Sequence, residues 1–144
     1  MTTVFLRSAV AAVAIAAAFA FVTPSFADTV ALKADLKASS EVPPTSSQGA
    51  GSVTATYDTA SKKLSWKGSV SGLTGPATAA HFHAGETGKN GAVVIPIAGA
   101  DKGSFEGSAT LTDAQAADLM AGKWYVNVHT AANKAGEIRG QVTK

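Results

Sequence analysis

The sequence predicts an all-β fold: an antiparallel β-sandwich interrupted by one short helix. Three observations carry this. Apolar and polar residues alternate through short segments at regular spacing. Turns bearing glycine, proline, asparagine or aspartate separate those segments. Only one stretch carries helix caps.

The N-terminal stretch stands apart from the fold. Arg7 is followed by an unbroken apolar run, Ala9 to Val22, and then by Ser25-Phe26-Ala27, with small residues where a cleavage site needs them. This order is that of a secretory signal peptide spanning residues 1–27. The run of 14 residues is shorter than the roughly 20 that a spanning helix requires. Cleavage after Ala27 leaves residues 28–144, enough for one domain with a modest core.

The strands follow in order. In "TVALKADLKASS", Val30, Leu32, Ala34 and Leu36 face one way and Lys33, Asp35 and Lys37 the other, a half-buried strand. "EVPPTSSQGAG" breaks the pattern with prolines and glycines and is expected to be a loop. "SVTATYDTASKKLSWKGSVSGL" predicts a hairpin turning over Asp58 to Lys62. "GPATAAHFHAG", "GAVVIPIAG" and "GSFEGSATL" are further strands, Pro96 confining the second to an edge or a bulge. Between the first two of these, Asn90-Gly91 is expected to supply the positive φ of a hairpin turn. "TDAQAADLMAG" is the helix: Thr112 as N-cap and Gln115 form a capping box, and Gly122 terminates it. "KWYVNVHT" and "GEIRGQVTK" complete about seven strands.

Composition narrows the function. Without Arg7 the chain carries 11 basic and 10 acidic residues, a net charge of +1, and no basic cluster. Nucleic acid and, once the leader is gone, membrane surfaces are poor partners for it. There is no cysteine, which excludes disulfides, thiolate metal sites and cysteine nucleophiles. No serine sits in a G-x-S-x-G turn, and no pair of adjacent carboxylates offers acid–base chemistry. No catalytic residue is assigned. The glycines of "GETGKNGAVV" lie between two strands and lack the helix that a phosphate loop needs.

What remains is histidine. The chain has three: His81 and His83 in "AHFHAG", and His129 in "WYVNVHT". Strand alternation puts His81 and His83 on one face, with Cα atoms roughly 6.5–7 Å apart. Imidazoles so placed can converge on one ion. Ala80 and Phe82 then face the core. In the later strand Trp124, Val126 and Val128 make the apolar face, and Tyr125, Asn127 and His129 the other. If the two strands neighbour each other, all three imidazoles stand on one surface. Neutral imidazoles without thiolate suit Cu(II), and less well Zn(II). The same pattern also suits polar residues on a solvated face.

Nearby polar residues are weighed against that site. Glu137 and Arg139 share a strand face and are candidates for orienting an imidazole. The reading favoured for them is an exposed cross-strand ion pair worth under about 1 kcal/mol. Asn127 is a third supporting candidate, and Glu86 a carboxylate near the histidine pair.

These landmarks resemble a known family. Glu41-Val42-Pro43-Pro44, Gly51, Leu73, His81 with His83 and Gly85, Gly91, Leu119 with Gly122, Tyr125 through Thr130, and Gly136 through Gln141 are similar to the CHRD domain. That module was first described in chordin and is common in exported bacterial proteins. The similarity covers Val30 to Val142, with Ala135 where the family usually has proline. A fainter similarity links "LSWKGSVSGLTGPATAAHFHAGE" and "WYVNVHT" to copper–zinc superoxide dismutase. It implies an immunoglobulin-like or dismutase-like sandwich with His81, His83 and His129 as copper ligands. The dismutase's bridging histidine, zinc site, disulfide and catalytic arginine have no counterparts here.

The sequence therefore predicts an exported, periplasmic or secreted, binding module for copper. The alternative is a metal-free structural or protein-interaction module of the cell envelope. A copper-dependent redox enzyme ranks third.

Overall fold

The structure, a computed structural model, describes residues 28–144. The predicted leader lies outside these residues. The elements are β1 (Thr29–Lys37), β2 (Ala50–Asp58), β3 (Lys63–Ser71), β4 (Ala77–Ala84), β5 (Val93–Pro96), β6 (Ser104–Thr110), α1 (Asp113–Met120), β7 (Trp124–Thr130) and β8 (Ile138–Gln141). The eight strands among the described residues fall on the eight segments quoted above, one more than the count of about seven. They form one antiparallel sheet in the order β5-β4-β7-β8-β1-β2-β3-β6.

The sheet folds over on itself. Its halves join at a narrow seam, where β1 meets β8 at Lys37 and Arg139 and Lys33 bridges Thr143. The inward row of β4 then faces the inward row of β3. Phe82 meets Trp66 edge-on with ring centroids 5.2 Å apart, and Trp124 lies 5.9 Å from Phe82. Leu32, Leu36, Val53, Leu64, Val126, Val128 and Ile138 fill the space around them. Phe82, Trp124 and Val126 are completely buried. Each such side chain stabilises the fold by roughly 1.5–3 kcal/mol relative to exposure. The alternation along β1, β2 and β3 is as the sequence predicts.

Helix α1 connects edge strand β6 to β7. Its capping box is complete: the Gln115 N–H donates to Thr112 Oγ1 and the Thr112 N–H to Gln115 Oε1. Leu119 anchors it in the core, and Gly122 ends it at φ 72°. Pro96 closes the short edge strand β5.

Two expectations need correction. The positive φ in the β4–β5 loop belongs to Gly88, not to Asn90-Gly91. Gly91 is required for space: a Cβ there would lie 1.5 Å from the Ala84 carbonyl oxygen. Second, β7 is buried on nearly its whole length on both faces, although its residues alternate between core and outer face as expected. The reason is a lid of loops over the outer face of β4, β7 and β8. Asn90 of the β4–β5 loop donates to the Val42 carbonyl of the β1–β2 loop. Arg139 donates to Glu86 O, Lys89 O and Asn90 Oδ1, and Thr45 Oγ1 donates to Glu137 O. The histidine face is therefore largely covered. No helix among the described residues is long and apolar enough to cross a membrane.

Candidate metal centre

The register of β4 against β7 builds the site. His81 pairs with Asn127, His83 with Tyr125, and Ala79 with His129. This register is held by the inward row of Ala80, Phe82, Val126 and Val128, because a one-residue slip would turn these apolar groups outward. The opposite row then carries all three histidines on one face.

They converge. One ring nitrogen from each lies within 4.8 Å of the others. His81 Nδ1 is 3.1 Å from His129 Nε2. Two nitrogens bonded to one ion at about 2.0–2.1 Å lie at most about 4.2 Å apart. The widest separation thus needs an adjustment below about 1 Å.

Backbone carbonyls select the tautomers. His83 Nδ1 is 2.9 Å from the Gly91 carbonyl oxygen, and His129 Nδ1 is 2.9 Å from that of Lys134. A carbonyl only accepts, so each Nδ1 carries the hydrogen and each Nε2 presents its lone pair. Such outer bonds are the usual way a ligating imidazole is oriented. His83 Nε2 is buried without a hydrogen-bond partner. These donors fit a borderline divalent ion such as Cu(II) or Zn(II).

The electrostatics favour neutral rings. Burial, followed by the neighbouring His129 and His83, holds His81 below the ordinary imidazole range. Burial likewise lowers His83, against the Gly91 carbonyl and Asn127, which raise it. A neutral imidazole is the metal-binding form.

The other predicted residues fall as follows. Asn127 sits amid the histidines, 3 % exposed, with Nδ2 donating to Ala135 O at 3.4 Å and Oδ1 unpartnered. Arg139 is also buried, and its guanidinium lies 3.4 Å from the centre of the Tyr125 ring. Tyr125 stacks on His83 with centroids 4.8 Å apart. Arg139 therefore reaches His83 through Tyr125 rather than directly. Glu86 is not part of the convergent group; its carbonyl accepts from Arg139.

Glu137 corrects the exposed ion pair. It is fully buried and does not pair with Arg139. Its carboxylate accepts from Ser47 Oγ, the Thr74 N–H and Oγ1, Thr130 Oγ1 and Asn133 Nδ2. Burial alone would raise it, but these donors hold it down to about 2. By gripping Thr130 and Asn133 it brackets the turn whose Lys134 carbonyl orients His129.

Sequence reasoning missed Glu41 as a site neighbour. It lies buried against Gly136 and Asn127, its Oε1 unpartnered. Burial pushes its carboxyl up to about 7, against Arg139, the Val42 backbone and Asn127. Nothing in its place within a proline-bearing loop signals this. The Gly91 and Lys134 carbonyls likewise leave no trace in side-chain pattern.

An open groove of about 800 Å³ lies elsewhere, on β2, β3 and β6, lined in part by Thr54, Lys67, Lys102 and Glu106. The histidines do not line it.

In comparison with known proteins, the family model of the CHRD domain matches residues 32–142. No curated protein and no solved structure matches the chain.

Proposed function

The chain belongs to the CHRD domain family, and we propose that this member is an exported binding module that holds one copper ion through His81, His83 and His129. Copper is favoured over zinc because a given set of nitrogen donors binds Cu(II) more strongly than Zn(II). Residues 1–27 act as a signal peptide, and the mature chain works in the periplasm or after secretion. Copper storage, delivery or protection are the roles such a module can serve.

One observation supports this above the rest. Two backbone carbonyls fix two imidazoles so that both present Nε2 as a lone pair, that of His83 unpartnered and that of His129 against His81 Nδ1, where an ion could replace the contact. Histidines scattered on a sheet have no need of matched outer bonds.

A second reading rests on the 3.1 Å contact between His81 Nδ1 and His129 Nε2. In a metal-free structural or interaction module of the envelope, this bond would pin β4 to β7. Calorimetric titration of residues 28–144 with Cu(II) and Zn(II), beside His81→Ala and His129→Ala, separates the two. The metal reading predicts one tight site, lost in both variants and weakening below about pH 6 as imidazoles protonate. Absence of binding, or binding that survives both substitutions, leaves the structural reading.

A further inference from the structure

We infer that the side-chain oxygen of Asn127 is a fourth protein ligand of the histidine centre, placed on its buried side. The inference rests on the metal-binding reading of His81, His83 and His129 given above, and adds a donor to it.

Position comes first. Asn127 is the cross-strand partner of His81, precedes His129 by two residues on the same strand face, and is diagonal to His83, whose partner is Tyr125. Directly opposed side chains on a sheet have Cβ atoms about 4.5–5.5 Å apart, and diagonal ones about 7–8 Å. Asn127 is the residue around which the three histidines are arranged.

Orientation follows from what holds the amide. Its Nδ2 donates to Ala135 O. The same nitrogen crowds Gly136, where an added Cβ would meet it at 2.7 Å and Glu41 Oε1 at 2.4 Å. The amino end of Asn127 is thus turned to the β7–β8 loop. Its oxygen has no hydrogen-bond partner. The Asn127 side chain nonetheless lies diagonally across from His83 on the same face of the two strands.

Two side-chain acceptors are left over on this strand face. His83 gives its Nδ1 hydrogen to Gly91 O, so its Nε2 is a lone pair; Asn127 Oδ1 is another. Both atoms are buried and unpartnered. A buried polar atom left in that state costs about 1–3 kcal/mol. Two unpartnered acceptors buried on one face are reconciled by a cation. A divalent ion already held by the histidines takes both lone pairs at once. The donor set becomes three nitrogens and one carbonyl oxygen. The oxygen moves preference toward Cu(II) and Zn(II) and away from Cu(I).

The test uses Asn127→Ala and the near-isosteric Asn127→Asp in residues 28–144, with His81→Ala alongside. Every strand and the core cluster of the described residues fall within this range. Cu(II) and Zn(II) affinities are measured by calorimetry, and the Cu(II) forms are examined by electron paramagnetic resonance. The expected result is that Asn127→Ala keeps one site but weakens it by roughly 10- to 100-fold. Asn127→Asp, which puts a charged oxygen in the same place, should bind Zn(II) more tightly than the parent and shift the parallel g value. If His81→Ala abolishes binding while both Asn127 variants keep the parent's affinity and spectrum, Asn127 is not a ligand and the histidine centre stands alone. If His81→Ala binds as the parent does, the metal-binding reading itself fails and this inference falls with it. The aspartate variant decides the matter should the alanine variant fold poorly.

Discussion

Tyr125 lies flat on His83, with ring planes 7° from parallel and centroids 4.8 Å apart. The other face of the tyrosine ring carries the Arg139 guanidinium, in keeping with the strand order β4-β7-β8. The phenol group sits between the Gly91 N–H, which donates to it, and the Gly91 carbonyl, which also accepts from His83. Tyr125 thus fixes the plane of His83 and the loop that selects its tautomer. Tyr125→Phe keeps the stack and should cost about 1 kcal/mol. Tyr125→Ala should cost about 3–5 kcal/mol and weaken Cu(II) binding as well. Urea unfolding with parallel calorimetry checks both.

Arg139→Lys is not conservative here. The guanidinium stacks on Tyr125 and donates to Asn90 Oδ1 at 3.1 Å, Glu86 O at 3.3 Å and Lys89 O at 2.6 Å. An ammonium cannot stack or reach all three. Loss of these bonds in a buried place predicts destabilisation of about 2–4 kcal/mol, measured by urea unfolding at neutral pH.

Glu137 predicts a definite pH dependence. Its carboxyl is held at about 2 in the folded protein, below its ordinary value of 4.5. The folded state therefore prefers the ionised form. The stability this supplies is present above pH 4.5 and is lost as pH falls from there through about 2. Its size is roughly 3 kcal/mol. Glu137→Gln should be less stable than the parent at pH 7, and the gap should narrow toward pH 2–3. Unfolding midpoints at pH 3, 5 and 7 give the answer; a gap that does not change with pH would count against the account.

Gly91→Ala tests the close approach of the β4–β5 loop. With its Cβ 1.5 Å from the Ala84 carbonyl oxygen, the loop must move. The move carries away the Gly91 carbonyl that holds His83. On the order of 3 kcal/mol of stability should be lost, together with metal affinity, read by thermal unfolding with and without Zn(II).

Much of this site is legible in the sequence, and the rest is not for a physical reason. Period-two alternation in "AHFHAG" and "WYVNVHT" puts Phe82, Val126 and Val128 in the core and the three histidines together on the opposite face, as observed. Alternation along a strand says nothing about loops that fold over its outer face. For that reason Glu137 and Arg139 look like an exposed pair in sequence, yet each is buried under a loop with its own partners. The capping box of α1 is visible because it is local. The contacts between Asn90 and Val42, or Glu137 and Ser47, join residues tens of positions apart and leave no pattern. Gly91 was legible as a special glycine but for the wrong cause: proximity to Ala84 rather than φ.

The central claim is that the three imidazoles share one ion. Anomalous diffraction from crystals of residues 28–144 grown with Cu(II), recorded on both sides of the copper edge, tests it most directly. The account predicts a single strong peak about 2.0–2.1 Å from a nitrogen of each of His81, His83 and His129, with the direct bond between His81 and His129 replaced by the ion. A map with no peak there, and His81 Nδ1 still 3.1 Å from His129 Nε2, would contradict it.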